Sequence, residues 1–170
     1  MKKLMLAAVA ATFAVPAFAA PGNTATATDG SATAQIVAPI AITHVATESL
    51  NFGIIVPDSA ASSVISITTG GVGSVASGGA VVVDASAQQA DAFDVTGDAN
   101  RSFSIATTAG TVSNGAQTMA FSTSFDTVAG SGTLDGAGTA SFTVGGDLTV
   151  GAGQAAGTYT GSYSATVSYN

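Results

Sequence analysis

The sequence predicts an all-β protein, a sandwich or barrel of antiparallel strands. Beyond residue 19 the chain is built mainly from Ala, Gly, Ser, Thr and Val, and the residues that favour long helices are scarce. Its larger apolar residues alternate with polar ones over short runs, as they do on half-buried strands. Glycine-rich turns separate these runs at regular spacing, which is typical of β-sandwiches and barrels.

The first element is a predicted secretory signal peptide, residues 1–19. Two lysines follow Met1, residues 4–15 are apolar apart from Thr12, and Ala17-Phe18-Ala19 forms a small-x-small cleavage pattern. We place the cleavage after Ala19, with Ala20 as the alternative. The mature protein is therefore expected to be exported.

Cleavage would leave an acidic chain. Loss of Lys2 and Lys3 changes the formal charge from −7 to −9, because Arg101 is then the remaining Lys or Arg against ten acidic residues. Nucleic-acid binding and attraction to anionic lipid both need clustered basic residues and are excluded. No later segment is apolar enough for a membrane helix, so we expect no membrane insertion. The chain has no cysteine and hence no disulfide.

Residues 20–31 are predicted to be a flexible leader that ends at the turn signal Asp29-Gly30. The β-sandwich domain is expected to span residues 32–170, and its first strand is residues 32–42. Pro39 cannot donate a backbone hydrogen bond, which favours an edge strand or an inserted strand. Its even positions are all apolar: Ala32, Ala34, Ile36, Ala38, Ile40 and Ile42.

Further strands are predicted between these ends, at residues 50–56, 64–68, 80–84, 92–96, 102–107, 118–122, 124–128, 140–144 and 148–150. The pairs Phe142 and Val144, and Leu148 and Val150, should share one buried face. A hairpin that keeps this register needs a three-residue loop at 145–147, and we predict that loop.

The last predicted element is one long strand over residues 158–169. Its even positions are all Ser or Thr, and its odd positions carry all three tyrosines of the chain. The apolar side chains of this row must be buried against another part of the protein or against a second molecule. The residues concerned are Tyr159, Tyr163, Val167 and Tyr169, followed by the terminal Asn170.

The residues that could act in catalysis or bind a metal, the histidine and the acidic residues, do not form a recognisable active-site motif. His44 is the single histidine, and it is interpreted as a surface or strand-end residue, so we expect no catalytic or metal site and no cofactor. The densest acids, Asp84, Asp91, Asp94 and Asp98, lack calcium-loop spacing and are interpreted as turn residues. The phenylalanines lie at strand centres and predict core positions. We expect a protein that is not an enzyme.

Residues 32–42 and 158–169 contain no charged residue, although exposed sheet edges are normally protected by charge. Their apolar rows could complete one sheet within a molecule, or between molecules by β-strand addition. The first arrangement is compatible with a monomeric secreted or cell-surface binding or adhesion module, for instance for carbohydrate, which should expose an aromatic patch. The second indicates a structural polymer.

The order of several motifs resembles known exported proteins. The motifs are the segment 32–42, Leu50-Asn51-Phe52-Gly53, the run 145–151, the run 157–161 and the terminal Tyr169-Asn170. Together they resemble a bacterial exported family catalogued as a domain of unknown function. They also resemble the subunits of archaic, spore-coat-U-like chaperone–usher pili, although those often carry a disulfide near the leader.

The resemblance to pilins implies an immunoglobulin-like antiparallel β-sandwich that lacks one strand and is completed by donor-strand exchange. The protein would be a structural subunit of a fimbria or pilus-like filament, self-associating and assisted by a periplasmic chaperone and an usher. It would pass through the periplasm to the cell surface. The groove beside the C-terminal strand would receive the six even-position residues of the next subunit's segment 32–42, after the chaperone releases the carboxylate of Asn170. The alternative is that this segment is the first strand of its own domain.

Overall fold

The computed structural model describes residues 28–127 and 130–170, and these residues form an all-β antiparallel sandwich, which confirms the predicted fold class. The predicted signal peptide and most of the leader lie outside the described residues. Residues 28–35 are exposed and carry no strand, and the sandwich is built from residue 36 onward. No α-helix occurs in the described residues. The strands are β1 Ala41–His44, β2 Ile54–Val56, β3 Ser63–Ile67, β4 Gly73–Ser77, β5 Val81–Asp84, β6 Asp91–Thr96, β7 Ser102–Thr107, β8 Gly110–Asn114, β9 Gln117–Phe125, β10 Ser131–Thr133, β11 Thr139–Val150, β12 Thr160–Gly161 and β13 Ala165–Tyr169.

The first layer is one large sheet in the order β1-β6-β11-β9-β8-β12, with β3 and β4 joined to it through β11. The twelve-residue β11 holds this sheet together. Residues 139–144 of β11 pair with β6, residues 146–150 pair with β3, and residues 144–148 pair with β9.

The predicted loop at residues 145–147 is wrong, because β11 runs through it without a turn. An uninterrupted strand also keeps Phe142, Val144, Leu148 and Val150 on one face, so their shared burial does not require a loop. The glycines serve a different purpose. A Cβ on Gly145 would collide with the carbonyl oxygen of Ile67.

The second layer is divided into two small sheets, β10-β7-β13 and β2-β5. Each covers one core cluster. The β7 cluster consists of Val95, Phe103, Ile105, Leu134, Phe142 and Val144. The β3 cluster consists of Phe52, Ile65, Ile67, Ala80, Ala90, Phe121, Leu148 and Val150. The prediction that phenylalanines at strand centres are core residues is therefore confirmed for the four in these lists.

The predicted terminal strand 158–169 is interrupted. β12 pairs with β8 in the large sheet, whereas β13 pairs with β7 in a small sheet, and the chain crosses between them at residues 162–164. A Cβ on Gly161 would collide with the carbonyl oxygen of Thr111, so the chain approaches β8 closely before it turns away. The predicted alternation holds across the break, since every Ser and Thr at the even positions is exposed.

The predicted strand 32–42 is also shorter in the structure. Only its last two residues lie in β1, which pairs with β6, and residues 32–40 have no ladder partner among the described residues.

Candidate functional site

The end of the segment 32–42 packs within its own chain, on the same core cluster as β13. Ile40 and Ile42 are half-buried and pack on the β7 cluster, against which Val167 and Tyr169 also pack. Ile42 is fixed by the pairing of β1 with β6, where it lies opposite Val95. These two isoleucines therefore pack on the core of their own chain.

Tyr169 anchors the same segment at the end of β13. Its hydroxyl donates a hydrogen bond to the carbonyl of Ala38 at 2.8 Å and accepts one from the amide of Asp98 at 2.6 Å. The guanidinium of Arg101 lies 5.5 Å from the centroid of the ring, which adds a cation–π contact. The terminal Asn170 continues this edge, because its amide donates to the carbonyl of Ser102 at 3.2 Å.

The first part of the segment is not packed in this way. Ala32, Ala34 and Ala38 are exposed, and Ile36 is 95% exposed, which is the largest exposure among the described large hydrophobic residues. The structure therefore separates the six predicted donor residues into two groups, with the boundary between Ala38 and Ile40.

Tyr159 does not join the tyrosines of the predicted row. Its hydroxyl donates to the carbonyl of Ala155 at 2.8 Å and accepts from the side-chain amide of Gln154 at 2.9 Å. It therefore stabilises the local turn before β12. The prediction that all three tyrosines share one strand face is wrong for Tyr159, because the row is interrupted at residues 162–164.

Tyr163 lies in that interruption and packs against both core clusters. Its ring meets Phe93 and Phe121 edge-on, with centroid distances of 6.2 and 6.1 Å. Its hydroxyl donates to Oδ2 of Asp91 at 2.7 Å. Burial, together with the hydrogen bond to Asp91 and the charge of that carboxylate, raises the pKa of Tyr163 above its ordinary value.

Asp91 is 5% exposed and is satisfied from several sides. Its Oδ1 accepts a hydrogen bond from the amide of Ala92 at 2.8 Å and lies 2.7 Å from Nε2 of His44. The three side chains His44, Asp91 and Tyr163, which we call the polar latch, thus connect β1, β6 and the link between β12 and β13. A buried carboxylate is tolerated only with such partners.

Sequence reasoning missed the polar latch. His44 was correctly placed at a strand end, but Asp91 was interpreted as a turn residue. The signal lay in the alternation of β6, because Asp91 has the same parity as Phe93 and the buried Val95. His44 likewise shares the parity of Ile40 and Ile42.

A cleft of about 380 Å³ opens beside the polar latch. Its apolar walls come from both core clusters, and its polar rim includes the latch. The apolar lining residues are Leu50, Phe52, Phe93, Val112 and Phe121.

The described residues include neither a metal-binding cluster nor a membrane-spanning helix. No group of three or more His, Cys, Asp or Glu residues is placed to hold a metal ion there. In the same part of the chain, no helix is long and apolar enough to cross a membrane.

Comparison with known protein families identifies the domain that forms the sandwich. Residues 40–169 match the model of a family described as a domain of unknown function, DUF4402. The chain belongs to the DUF4402 family. The DUF4402 match includes Ile40, Ile42 and all of β1–β13, whereas Ala32–Ala38 precede it. No curated protein and no solved structure matches the chain.

Proposed function

We propose that this protein is a structural subunit of a fimbria or pilus-like filament at the cell surface. One subunit would add an extended segment to the next as a β-strand. The observation that carries the proposal is the exposure of Ile36 in a segment without charge. Burying an isoleucine side chain stabilises a complex by about 1.5–3 kcal/mol, so such a residue favours association.

The packing of the segment narrows the donor region. Ile40 and Ile42 are committed to the β7 cluster of their own chain, so the donated part is Ala32–Ala38. Ile36 would supply most of the contact area, and the alanines would allow close approach of the two backbones. Main-chain hydrogen bonds would provide the rest of the affinity, as in other cases of strand addition.

The proposed route to the cell surface rests on the predicted signal peptide and on the resemblance to chaperone–usher pilins. A periplasmic chaperone and an usher are the partners that this resemblance implies. The exposed Asn170 is accessible to a chaperone that binds the C-terminal carboxylate.

The alternative of a monomeric carbohydrate-binding module is less well supported. It predicts an exposed aromatic patch, and every Phe and Tyr in the described residues is buried or half-buried.

The test compares two substitutions that change charge equally at adjacent positions. Ile36→Asp places a carboxylate on the proposed contact face, whereas Gln35→Asp places one on the opposite face. Both residues are exposed, so neither change should lower the thermal unfolding temperature.

Each protein would be secreted from a bacterial host and examined by negative-stain electron microscopy and light scattering. We expect filaments from the wild type and from Gln35→Asp, and only monomers from Ile36→Asp. Filaments that persist in Ile36→Asp, or a wild type that stays monomeric at all concentrations, would refute the proposal.

A further inference from the structure

We infer that the cleft beside the polar latch is the acceptor site for Ile36 of a second copy of this chain. The inference rests on the proposed function and deepens it, because it names the surface that receives the donated segment. It follows from the division of the second layer, the chemistry of the cleft, its charge and the direction of the chain.

The second layer is divided, and the cleft lies beside an edge strand of the large sheet. The sheets β10-β7-β13 and β2-β5 are not hydrogen-bonded to each other, and Tyr163 is in contact with the clusters beneath both. The short strand β12 ends the large sheet, and its Gly161 lines the cleft. In the described residues β12 pairs with β8 alone. An added segment could therefore lie along an unpaired edge while its side chain enters the cleft.

The lining of the cleft suits a branched aliphatic side chain. Three phenylalanines form its walls together with Leu50 and Val112, and these residues offer a concave apolar surface. Pockets with mainly apolar walls and a few polar groups at the rim are typical binding sites. Ile36 is the most exposed large hydrophobic residue described, and two positions away on either side Ala34 and Ala38 offer small side chains on the same strand face, which let a backbone approach closely.

Charge also favours this pairing. Two copies of an acidic chain repel each other unless they meet through surfaces without unpaired charge. Among the described residues, one carboxylate lines the cleft, that of Asp91, and it is held by Tyr163 and His44. The segment from Gly30 to Thr43 carries no charged residue.

The direction of the chain favours a second copy. Ala38 is hydrogen-bonded to Tyr169, at the end of β13 that is farther from the cleft. β13 rises by about 3.3 Å per residue, so its two ends are about 13 Å apart. Ile36 is two residues upstream of Ala38 and lies within about 7 Å of it. Ile36 is 95% exposed and does not line the cleft of its own chain, so this cleft is open to Ile36 of a second copy.

Disulfide cross-linking of the whole secreted protein tests the inference cleanly, because the natural chain has no cysteine. The test variant carries Ile36→Cys together with Ser162→Cys, since Ser162 is exposed and lines the cleft. The matched control carries Ile36→Cys together with Ser74→Cys, an exposed serine on β4 outside the cleft.

Both variants would be oxidised mildly and separated on a non-reducing denaturing gel. We expect a ladder of covalent oligomers from the test variant, at least tenfold more intense than the ladder from the control. A disulfide within one monomer, or ladders of equal intensity, would overturn the inference.

A second pair of variants separates the two proposals. Ser162→Trp would fill the cleft, whereas Ser164→Trp places the same side chain two residues away, outside the cleft lining. We expect filament loss in Ser162→Trp alone, with unchanged unfolding temperatures in both. If Ser162→Trp still forms filaments while Ile36→Asp does not, the filament proposal stands and the acceptor site lies elsewhere. If Ile36→Asp also forms filaments, the filament proposal itself fails.

Discussion

Removal of the Tyr163 hydroxyl is the sharpest test of the polar latch. Tyr163→Phe keeps the ring contacts with Phe93 and Phe121 and deletes only the hydrogen bond to Asp91. Hydrogen bonds to charged groups contribute about 1.5–3 kcal/mol, and here the loss leaves one oxygen of a buried carboxylate without a donor. We therefore expect the free energy of unfolding to fall by about 2 kcal/mol.

The matched control is Tyr159→Phe. It removes the same atom from a hydroxyl that bonds a backbone carbonyl and an amide in a partly exposed turn. A neutral hydrogen bond of this kind contributes about 0.5–1.5 kcal/mol, and solvent access places it at the lower end.

Urea unfolding, followed by circular dichroism, measures both changes. With a slope of about 2 kcal/mol per molar urea, Tyr163→Phe should lower the midpoint by about 1 M and Tyr159→Phe by well under half of that. Equal shifts for the two variants would show that the contact between Tyr163 and Asp91 is not a special stabilising feature, and the reasoning about the latch would be wrong.

Three further outcomes are expected. The pKa of Tyr163 is raised in the folded state, so the protonated hydroxyl contributes its full stabilisation below pH 10 and that stabilisation is lost as pH rises further. In urea titrations above pH 10, the free energy of unfolding should therefore fall more steeply for the wild type than for Tyr163→Phe. Gly145→Ala should lower the free energy of unfolding by about 3 kcal/mol or prevent folding, because the new Cβ would meet a backbone carbonyl. Gly136→Ala should change the unfolding temperature little, because the space around Gly136 is open. Hydrogen bonds from Thr139 lower the pKa of Asp135 below 3.8, so Asp135→Ala should destabilise the protein at neutral pH, and its difference from the wild type in thermal melts should shrink as pH falls below that value.

The strands with alternating large apolar residues could be predicted from the sequence. β7 was predicted with the bounds that the structure has, and β6 differs by one residue. In both, aromatic or branched side chains occupy every second position and face the core. The strands that the sequence did not reveal are β4, β8 and β10, which consist largely of Gly, Ser and Thr. Their extended conformation follows from pairing with a neighbouring strand, which local patterns do not encode.

For the candidate site, the alternation of polar and apolar residues predicted which side chains face the core, but it did not predict that the terminal strand is interrupted. Tyr163, Val167 and Tyr169 do face the core, as their parity indicates. The break before β13 depends on how closely Gly161 approaches Thr111, fifty residues earlier, and no local signal reports that contact. The same limit explains the error at residues 145–147, where glycines that allow strands to approach closely resemble the glycines of a turn.

The packing of Ile40 and Ile42 changes how assembly by strand donation would work. In the arrangement that pilins imply, the whole segment 32–42 leaves its own subunit, and the groove over the C-terminal strand stays open until a neighbour fills it. Here Ile40 and Ile42 of the same chain already pack on the β7 cluster, and β1 is paired with β6. Donation of Ala32–Ala38 therefore leaves the core of the donor closed. A chaperone would then be needed mainly to keep the exposed segment from pairing prematurely, and less to complete the fold.

The donor residue is also close to the strand that holds its segment in place, because Ile36 lies five residues before Ala41, the first residue of β1, and at most about 18 Å from it. Pro39 lies between them and restricts the backbone. A tether this short requires the next subunit's cleft to lie close to the start of β1, which favours a filament with a fixed spacing between subunits over a flexible chain of linked domains.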